Sequence, residues 1–194
     1  DELKTKNIFL NIINKFQSVD IAVFCTGIHD PDSEKKLSSE KIREIMETNF
    51  FGTLNCIMAV NSYFREKKSG HISIVSSVAG YRGLPAASGY CASKSALTSL
   101  AESLYFDFKR HNVRVSLISP GFIKTPMTDK NKFPMPMIKS PEFAAEKMFI
   151  GLTKKNAFEI HFPISFTFMM KLLKIMPNWL YFLLVKKGMK TIKY

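Results

Sequence analysis

The chain has 194 residues, of which 46% are apolar and 23% charged, a composition that excludes a disordered chain. This length favours one domain with a sizeable core. The 3 cysteines have no CxxC spacing, so they favour reduced thiols in a cytoplasmic protein over disulfides or a zinc site. The 4 histidines are scattered singly along the chain, so no metal site is predicted.

The net charge of +12 at pH 7 is concentrated near the C-terminus. Residues 151–194 contain eight lysines and one acidic residue, Glu159. The lysines alternate with long apolar runs and no recognised nucleic-acid motif is present, so no nucleic-acid partner is predicted. A solvated, soluble surface is the simplest explanation of this charge.

The predicted elements alternate between helix and strand along the chain. Residues 3–17 have apolar side chains at helical spacing, and the apolar run 19–27 is a buried strand that ends in a turn at Gly27. After a polar loop, Ser39 is a candidate N-cap for a long helix over residues 40–67. Each of these segments is bounded by residues that favour turns or caps.

The second half of the chain continues the same alternation. A strand is predicted over 71–77, a helix over 91–111, a strand over 113–119, a helix over 141–154 and a strand over 157–162. Strands separated by helices of this length pair in parallel through right-handed crossovers. The sequence therefore predicts a doubly wound α/β sheet, whose ligands bind beyond the carboxyl ends of the strands.

One segment at such a strand end has the residue types of an acid/base site. Ser77 ends the second predicted strand, and Tyr90 and Lys94 follow four residues apart at the mouth of a helix. That spacing places the two side chains one turn apart on one face. A nearby ammonium lowers the pKa of a tyrosine from about 10, which suits a general acid/base near neutral pH. Residue types alone leave open an exposed Tyr and Lys with no chemical role.

Asn49 adds weight to the chemical interpretation. It lies four residues after Ile45 and three after Met46, so its amide points to the apolar face of the predicted helix. An amide left there without partners costs about 1–3 kcal/mol. A structural role, in which Asn49 caps or kinks the helix beside Gly52, is the alternative.

Four ordered segments together resemble the short-chain dehydrogenases/reductases. They are "TNFFGTLN" (48–55), "IVSSVAG" (74–80), "YCASK" (90–94) and "SPGFIKTPM" (119–127). The resemblance implies a Rossmann-like, mostly parallel sheet and an NAD(P)-dependent enzyme that reduces a carbonyl or oxidises an alcohol by hydride transfer. Hydride transfer to a carbonyl develops negative charge on oxygen, which two hydroxyl donors would stabilise.

The resemblance also implies a role for each matching residue. Tyr90 would donate or accept the substrate proton, and Lys94 would lower the pKa of Tyr90 and hold the nicotinamide ribose. Ser77 would orient the substrate oxygen, and Asn49 would hold a water that links Lys94 to solvent.

Cofactor binding is implied for a further set of positions. In "SPGFIKTPM", which includes Pro120 and Gly121, the backbone at Ile123 and the hydroxyl of Thr125 would bind the nicotinamide carboxamide. Gly27 matches the glycine of the family's Asn-Asn-Ala-Gly segment. NAD and NADP are not distinguished.

The sequence departs from the family pattern in two places. The glycine-rich phosphate loop, TGxxxGxG, is absent, and Phe24 and Cys25 replace two amides of the Asn-Asn-Ala-Gly segment. The chain also begins at Asp1 instead of Met. We therefore expect a fragment or processed product, in which residues 1–162 form an N-terminally truncated domain whose first strand is an unprotected sheet edge.

The C-terminal extension, residues 163–194, is both apolar and basic. Its charge-free runs, 160–170 and 175–185, are shorter than the roughly 20 apolar residues that a spanning helix needs. One interpretation is a helical pair that closes a pocket for a lipophilic substrate or packs in a subunit interface. The other is peripheral contact with a membrane, suited by Trp179 and Tyr181 beside lysines.

The sequence thus predicts an NAD(P)-dependent oxidoreductase acting on a small, lipophilic carbonyl or alcohol. The alternative is a non-catalytic remnant of such an enzyme that acts at a membrane surface or binds a partner. The resemblance further suggests a homo-oligomer formed through helices 40–67 and 91–111. The expected location is cytoplasmic, with membrane association through the C-terminal segment.

Overall fold

A computed structural model describes residues 1–31 and 36–190, except for the side chains of Met189 and Lys190. The last four residues of the predicted extension 163–194 lie outside the described residues. In chain order the elements are α1 (Glu2–Phe16), β1 (Ile21–Phe24), α2 (Ser39–Met46), a π-helical turn (Glu47–Phe51), α3 (Gly52–Lys67), β2 (His71–Val75), α4 (Ser88–Lys109), β3 (Arg114–Pro120), α5 (Pro141–Thr153), β4 (Glu159–Phe162), α6 (Ile164–Ile175) and α7 (Asn178–Lys190).

The four strands form one parallel sheet in the order β1-β2-β3-β4. Every residue of β2 is buried, as expected of a central strand covered on both faces. Within this sheet β1 is an edge strand, and Ile21 and Val23 are about two-fifths exposed (40% and 39%). The predicted α/β class, the parallel pairing and the edge position of the first strand are confirmed.

Apolar side chains cover both faces of the sheet. On one face, the buried Phe64 of α3 and Leu97 and Phe108 of α4 pack with Ile72 and Leu117. On the other face, a second cluster of buried side chains joins the sheet to α5; it contains Val75, Ile118, Ala144, Leu152, Ile160 and Phe162. Helices on both faces make the sheet doubly wound, and its carboxyl edge is left for ligands.

Several predicted boundaries shift in the structure. The strand predicted over 19–27 is limited to β1, and the helix predicted to begin at residue 91 begins at Ser88, which places Tyr90 within its first turn. The N-cap of α2 is Ser38 instead of Ser39, since Ser38 Oγ accepts a hydrogen bond from the Lys41 N–H at 3.4 Å. The helix predicted over 40–67 contains a π-helical turn at Glu47–Phe51.

The C-terminal extension forms the helical pair α6 and α7. No helix within residues 1–31 and 36–190 is long and apolar enough to cross a bilayer. Arg82 connects the pair to the segment after β2. Its guanidinium donates hydrogen bonds to the carbonyls of Leu173 and Met176 at 2.6 Å each and to Asn178 Oδ1 at 2.5 Å. The same guanidinium lies 4.0 Å from the ring centroid of Tyr181 in α7.

A half-buried charged cluster provides a second connection between the sheet and α6. Tyr81 Oη donates to one oxygen of Glu159 at 2.5 Å, and Lys171 Nζ donates to the other at 2.6 Å. Burial acts to raise the pKa of Glu159, but the hydrogen bonds from Lys171 and Tyr81 outweigh it and hold that pKa below its usual value. Glu159 therefore stays ionised and keeps α6 against β4.

Candidate active site

The residues expected to carry chemistry meet at the carboxyl edge of the sheet. Ser77 lies two residues beyond β2, and its Oγ accepts a hydrogen bond from the Ala79 N–H at 3.1 Å, which turns the chain away from the strand. Tyr90 and Lys94 lie in the first two turns of α4. The Lys94 Nζ is 5.8 Å from the centroid of the Tyr90 ring, so the ammonium faces the phenol ring from one turn below.

Lys94 is a buried cation with a fixed position. Only 4% of the residue is exposed, and its Nζ donates to the carbonyl of Val75 at 3.0 Å. Burial lowers the pKa of Lys94 to about 8. A second contact fixes the backbone of its helix turn, because Ser76 Oγ donates to the Lys94 carbonyl at 2.8 Å.

Asn49 is fully buried in the π-helical turn and binds two distant parts of the chain. Its Oδ1 accepts from the Ile28 N–H at 2.7 Å, and its Nδ2 donates to the Ile28 carbonyl and to Ser93 Oγ at 3.0 Å each. The amide thus joins the loop after β1 to the helix turn that carries Tyr90 and Lys94. Asn49 thus finds partners for its amide on the apolar face, in Ile28 and Ser93, and its role in holding a water next to Lys94 stays a prediction.

A cavity of about 340 Å³ opens beside Ser77 and Tyr90. Its walls come from the two loops that follow β2 and β3 and from the C-terminal helices. Most of the lining is apolar; examples are Val78, Leu84, Phe122, Phe133, Phe166 and Met170. A mainly apolar cavity of this size, with a few polar side chains in its lining such as Ser77 and Tyr90, suits a small molecule that is largely apolar and has a polar oxygen.

His29 is a site residue that the sequence did not indicate. Its ring lies 4.6 Å from the ring of Tyr90, centroid to centroid, with an interplanar angle of 35°, and His29 also lines the cavity. In the sequence His29 was one of four isolated histidines. Its contact with Tyr90 depends on the loop after β1 folding back over α4, and no local pattern predicts that fold.

The residues expected to bind a cofactor form two groups. Gly27 lies beside the ammonium, because a Cβ at this position would come within 3.3 Å of Lys94 Nζ. Pro120 ends β3, and Gly121 lines the cavity next to it, where a Cβ would come within 2.7 Å of the Phe166 ring. A side chain at Gly27 would press on the Lys94 ammonium and one at Gly121 on the Phe166 ring, so both positions favour glycine, and the cofactor-binding roles of Gly27, Pro120 and Gly121 stay predictions.

Ile123 and Thr125 lie in the loop beyond β3. Ile123 forms an isolated parallel bridge with Lys139. The Thr125 N–H donates to Thr128 Oγ1 at 2.9 Å, and Thr128 Oγ1 donates to the Ile123 carbonyl at 2.7 Å. These bonds hold the loop in one conformation beside the cavity, and the roles of Ile123 and Thr125 in cofactor binding stay predictions.

Comparisons with known proteins identify the family. The model of the short chain dehydrogenase family matches residues 1–134. An uncharacterized oxidoreductase of Myxococcus xanthus is 37% identical over 163 residues, which are 84% of this chain and 64% of the relative. A 3-oxoacyl-[acyl-carrier-protein] reductase of Thermotoga maritima is 29% identical over 130 residues, or 67% of this chain and 53% of the relative. The chain belongs to the short-chain dehydrogenase family.

Solved structures share the fold. A short-chain dehydrogenase from Streptomyces avermitilis superposes with a TM-score of 0.79 at 18% identity, covering 100% of this chain and 78% of that one. A short chain dehydrogenase from Mycobacterium paratuberculosis bound to NAD gives a TM-score of 0.69 at 24% identity, covering 83% of this chain and 68% of that one. The present chain spans between about half and two thirds of the length of the relatives it matches in sequence.

Proposed function

We propose that the protein is an NAD(P)-dependent oxidoreductase that interconverts a lipophilic carbonyl compound and its alcohol. The observation that carries this proposal is an apolar cavity lined by Ser77 and Tyr90, with the buried Lys94 ammonium 5.8 Å from the Tyr90 ring. Membership of the short-chain dehydrogenase family supports the same reaction class.

Each polar group has a part in the proton transfer. The Tyr90 hydroxyl gives its proton to the carbonyl oxygen as negative charge develops there, and the Lys94 ammonium stabilises the phenolate that remains. The Ser77 hydroxyl donates a second hydrogen bond to that oxygen and fixes its position. Because burial lowers the pKa of Lys94 to about 8, this lysine is able to exchange its proton near neutral pH.

The nicotinamide cofactor supplies or accepts the hydride when it is bound. Gly27 and Gly121 would let the chain pass close to the site, because a side chain at Gly27 would press on the Lys94 ammonium and one at Gly121 on the Phe166 ring. Lys94 and Tyr90 would hold its ribose, and the backbone of Ile123 with the Thr125 hydroxyl would hold its carboxamide. Pro120 ends the strand that leads into this loop.

The substrate class follows from the cavity. Its lining is mainly apolar and includes several aromatic rings, and Ser77 and Tyr90 contribute hydroxyl groups to it. A chain of methylene groups would gain about 0.8 kcal/mol for each CH₂ that leaves water. We therefore propose an acyl-chain or similar apolar carbonyl compound as substrate, with decanal as a test compound.

Two further parts of this proposal concern assembly and location. We propose a homo-oligomer through α3 and α4, supported by exposed apolar side chains such as Phe51, Met58 and Phe106 along the helical layer. We also propose peripheral contact with a membrane through α6 and α7, supported by the large apolar side chains that these helices expose. Sedimentation velocity of the purified protein tests the first part, since a stable monomer at micromolar concentration contradicts it.

Replacing Tyr90 with Phe tests the reaction. The Tyr90→Phe variant loses the acidic hydroxyl but keeps the ring, so we expect reduction of decanal by NADH or NADPH to fall about 100- to 10,000-fold with an unchanged melting temperature. Tyr105→Phe is the matched control, because it makes the same change further along α4, where the Tyr105 ring packs against Phe158 at 5.5 Å. Equal turnover in the two variants would refute the role of Tyr90.

A further inference from the structure

The outward faces of α6 and α7 expose an unusual amount of apolar surface. The exposed fractions are 61% for Phe168, 78% for Ile175, 70% for Trp179 and 63% for Phe182. In α6 the exposed positions recur at helical spacing, so they share one face. We name these four residues the outer face.

The opposite sides of the same two helices form part of the cavity wall. Phe166 and Met170 of α6 and Val185 and Gly188 of α7 all line the cavity. Each helix therefore has one apolar side toward the cavity and another toward solvent. Gly188 is both exposed and part of the lining, so the cavity reaches the surface at this end of α7.

The charged side chains that α6 and α7 themselves contribute are all lysines. The sequence contains no Asp or Glu after Glu159, and Lys171 is already paired with Glu159 at 2.6 Å. Lys186 and Lys187 are exposed and lie in sequence between the two α7 residues that line the cavity. Because Val185 and Gly188 share one side of α7, these two lysines project from the side turned away from the cavity, which is also the side of the outer face.

The helix pair is held in a defined orientation. Arg82 binds the carbonyls at the end of α6 and stacks on Tyr181 of α7, and Tyr181 Oη in turn donates to the carbonyl of Gly83. The outer face is therefore a fixed surface and not a loose tail. Neither helix is long enough to cross a bilayer, since α6 has 12 residues, α7 has 13, and a span needs about 20.

We propose that the outer face docks on a bilayer that contains anionic lipid, with the cavity opening at Gly188, in the last turn of α7, at the edge of the contact. The apolar side chains enter the interfacial region of the lipid, Trp179 lies at the boundary with water, and Lys186 and Lys187 bind the anionic headgroups. A lipid-borne carbonyl compound then passes from the bilayer directly into the cavity. This last step rests on the proposed function of the cavity as the substrate site.

A second copy of the chain is a less suitable partner for this surface. In a two-fold symmetric dimer the same patch faces itself, so the lysines of one copy would approach those of the other, and α6 and α7 contribute no acidic residue to pair with them. Like charges in such positions oppose association. An anionic bilayer instead provides both the apolar phase and the opposite charge.

Trp179 is the single tryptophan of the chain and reports directly on docking. We expect its emission to shift to the blue when vesicles of phosphatidylcholine and phosphatidylglycerol in equal parts are added, and brominated phosphatidylcholine to quench it. Because each lysine near an anionic surface contributes about 1 kcal/mol, K186A/K187A should weaken vesicle binding about 30-fold. K154A/K155A is the matched control, because it removes two exposed lysines from the turn after α5, and it should retain wild-type binding.

The position of the cavity opening has its own test. In the W179F background, a tryptophan introduced as V185W should also be quenched by brominated lipid, whereas one introduced as Y105W, at the far end of α4, should not. Emission that does not respond to vesicles, or equal binding by the two double-lysine variants, would overturn the docking surface. Quenching of Y105W but not of V185W would overturn the proposed orientation of the protein on the bilayer. These fluorescence measurements do not require hydride transfer. If the wild-type protein binds vesicles but does not reduce decanal, only the proposed reaction is refuted.

Discussion

At the carboxyl edge of the sheet, polar side chains are buried and paired, whereas in α6 and α7 large apolar side chains face solvent. Asn49 and Lys94 are 0% and 4% exposed and have specific partners, while Ile175 and Trp179 are 78% and 70% exposed. The first arrangement fixes reacting groups in place. The second leaves apolar surface for something outside the chain. If the proposed function is right, chemistry belongs to the first region and substrate access to the second.

The two regions should respond differently to an added methyl group, and the larger effect is expected at the sheet. A Cβ on Gly80 would come within 2.8 Å of the Lys94 carbonyl and 2.9 Å of Ser76 Oγ. Gly80→Ala should therefore reduce the free energy of unfolding by about 3 kcal/mol, as overpacking of a core does. Urea denaturation measures this change, and a loss below about 0.5 kcal/mol would show that the segment after β2 relaxes easily.

The next largest effect is expected where the two regions join. Arg82→Ala removes the guanidinium that holds the end of α6, Asn178 and the ring of Tyr181, so we expect a loss of about 2–3 kcal/mol. Limited proteolysis should then cut between α6 and α7, and the KM for decanal should rise more than kcat falls. Arg82→Lys should rescue little, because a lysine cannot reach the same acceptors in a fork.

Arg110→Ala is the control for Arg82, since it removes an exposed arginine at the end of α4. It should leave the proteolysis pattern and KM unchanged. If Arg82→Ala behaves like this control, apolar contacts alone hold α6 and α7 in place. The contacts of Arg82 are then not needed to connect the helix pair to the sheet.

The buried ammonium is expected to have a smaller effect of the opposite sign. Because the pKa of Lys94 falls from 10.5 to about 8, keeping it charged below pH 8 costs about 3 kcal/mol, which the bond to the Val75 carbonyl offsets in part. Lys94→Met should therefore raise the free energy of unfolding at pH 7 by about 1–2 kcal/mol while abolishing turnover. A variant that is less stable than the wild type would contradict this account of Lys94.

The same group predicts the pH dependence of stability. The unfolded chain binds the Lys94 proton more tightly than the folded chain does, so this group makes the wild type more stable as pH rises from about 8 to 10.5. This stabilising contribution of Lys94 is fully present at pH values above its pKa in the unfolded chain. It is lost as the pH falls through its pKa in the folded chain. The difference between wild type and Lys94→Met, measured by urea denaturation across this range, should shrink with rising pH. A constant difference would show that Lys94 does not titrate there.

The smallest effect is expected in the helix pair. A Cβ on Gly188 would meet no atom within 4 Å, so Gly188→Ala introduces no clash. Because alanine favours helix over glycine by about 1 kcal/mol, this variant should be equal to or up to about 1 kcal/mol more stable than the wild type. Thermal unfolding measures the difference. A destabilisation like that of Gly80→Ala would mean that α7 is packed as tightly as the sheet.

The sequence predicts those parts of the site that depend on local spacing. Tyr90 and Lys94 are one turn apart on α4, and the four strands were placed from apolar runs and their flanking turn residues. Contacts between distant segments were not predicted. Three such contacts depend on how loops fold back, which hydrophobic periodicity and secondary-structure propensity do not determine. They are the contacts of His29 with Tyr90, of Asn49 with Ile28 and of Arg82 with α6. The π-helical turn at Glu47–Phe51 likewise has no local sequence signal.

The most direct test of the central claim is the transfer of deuterium from reduced nicotinamide cofactor to decanal. The account predicts that wild type and Tyr105→Phe give decanol with one deuterium at C1 by mass spectrometry, while Tyr90→Phe gives almost none at the same melting temperature. Labelled decanol from Tyr90→Phe at the wild-type rate would contradict the claim that this phenol, beside Lys94 and Ser77, transfers the proton.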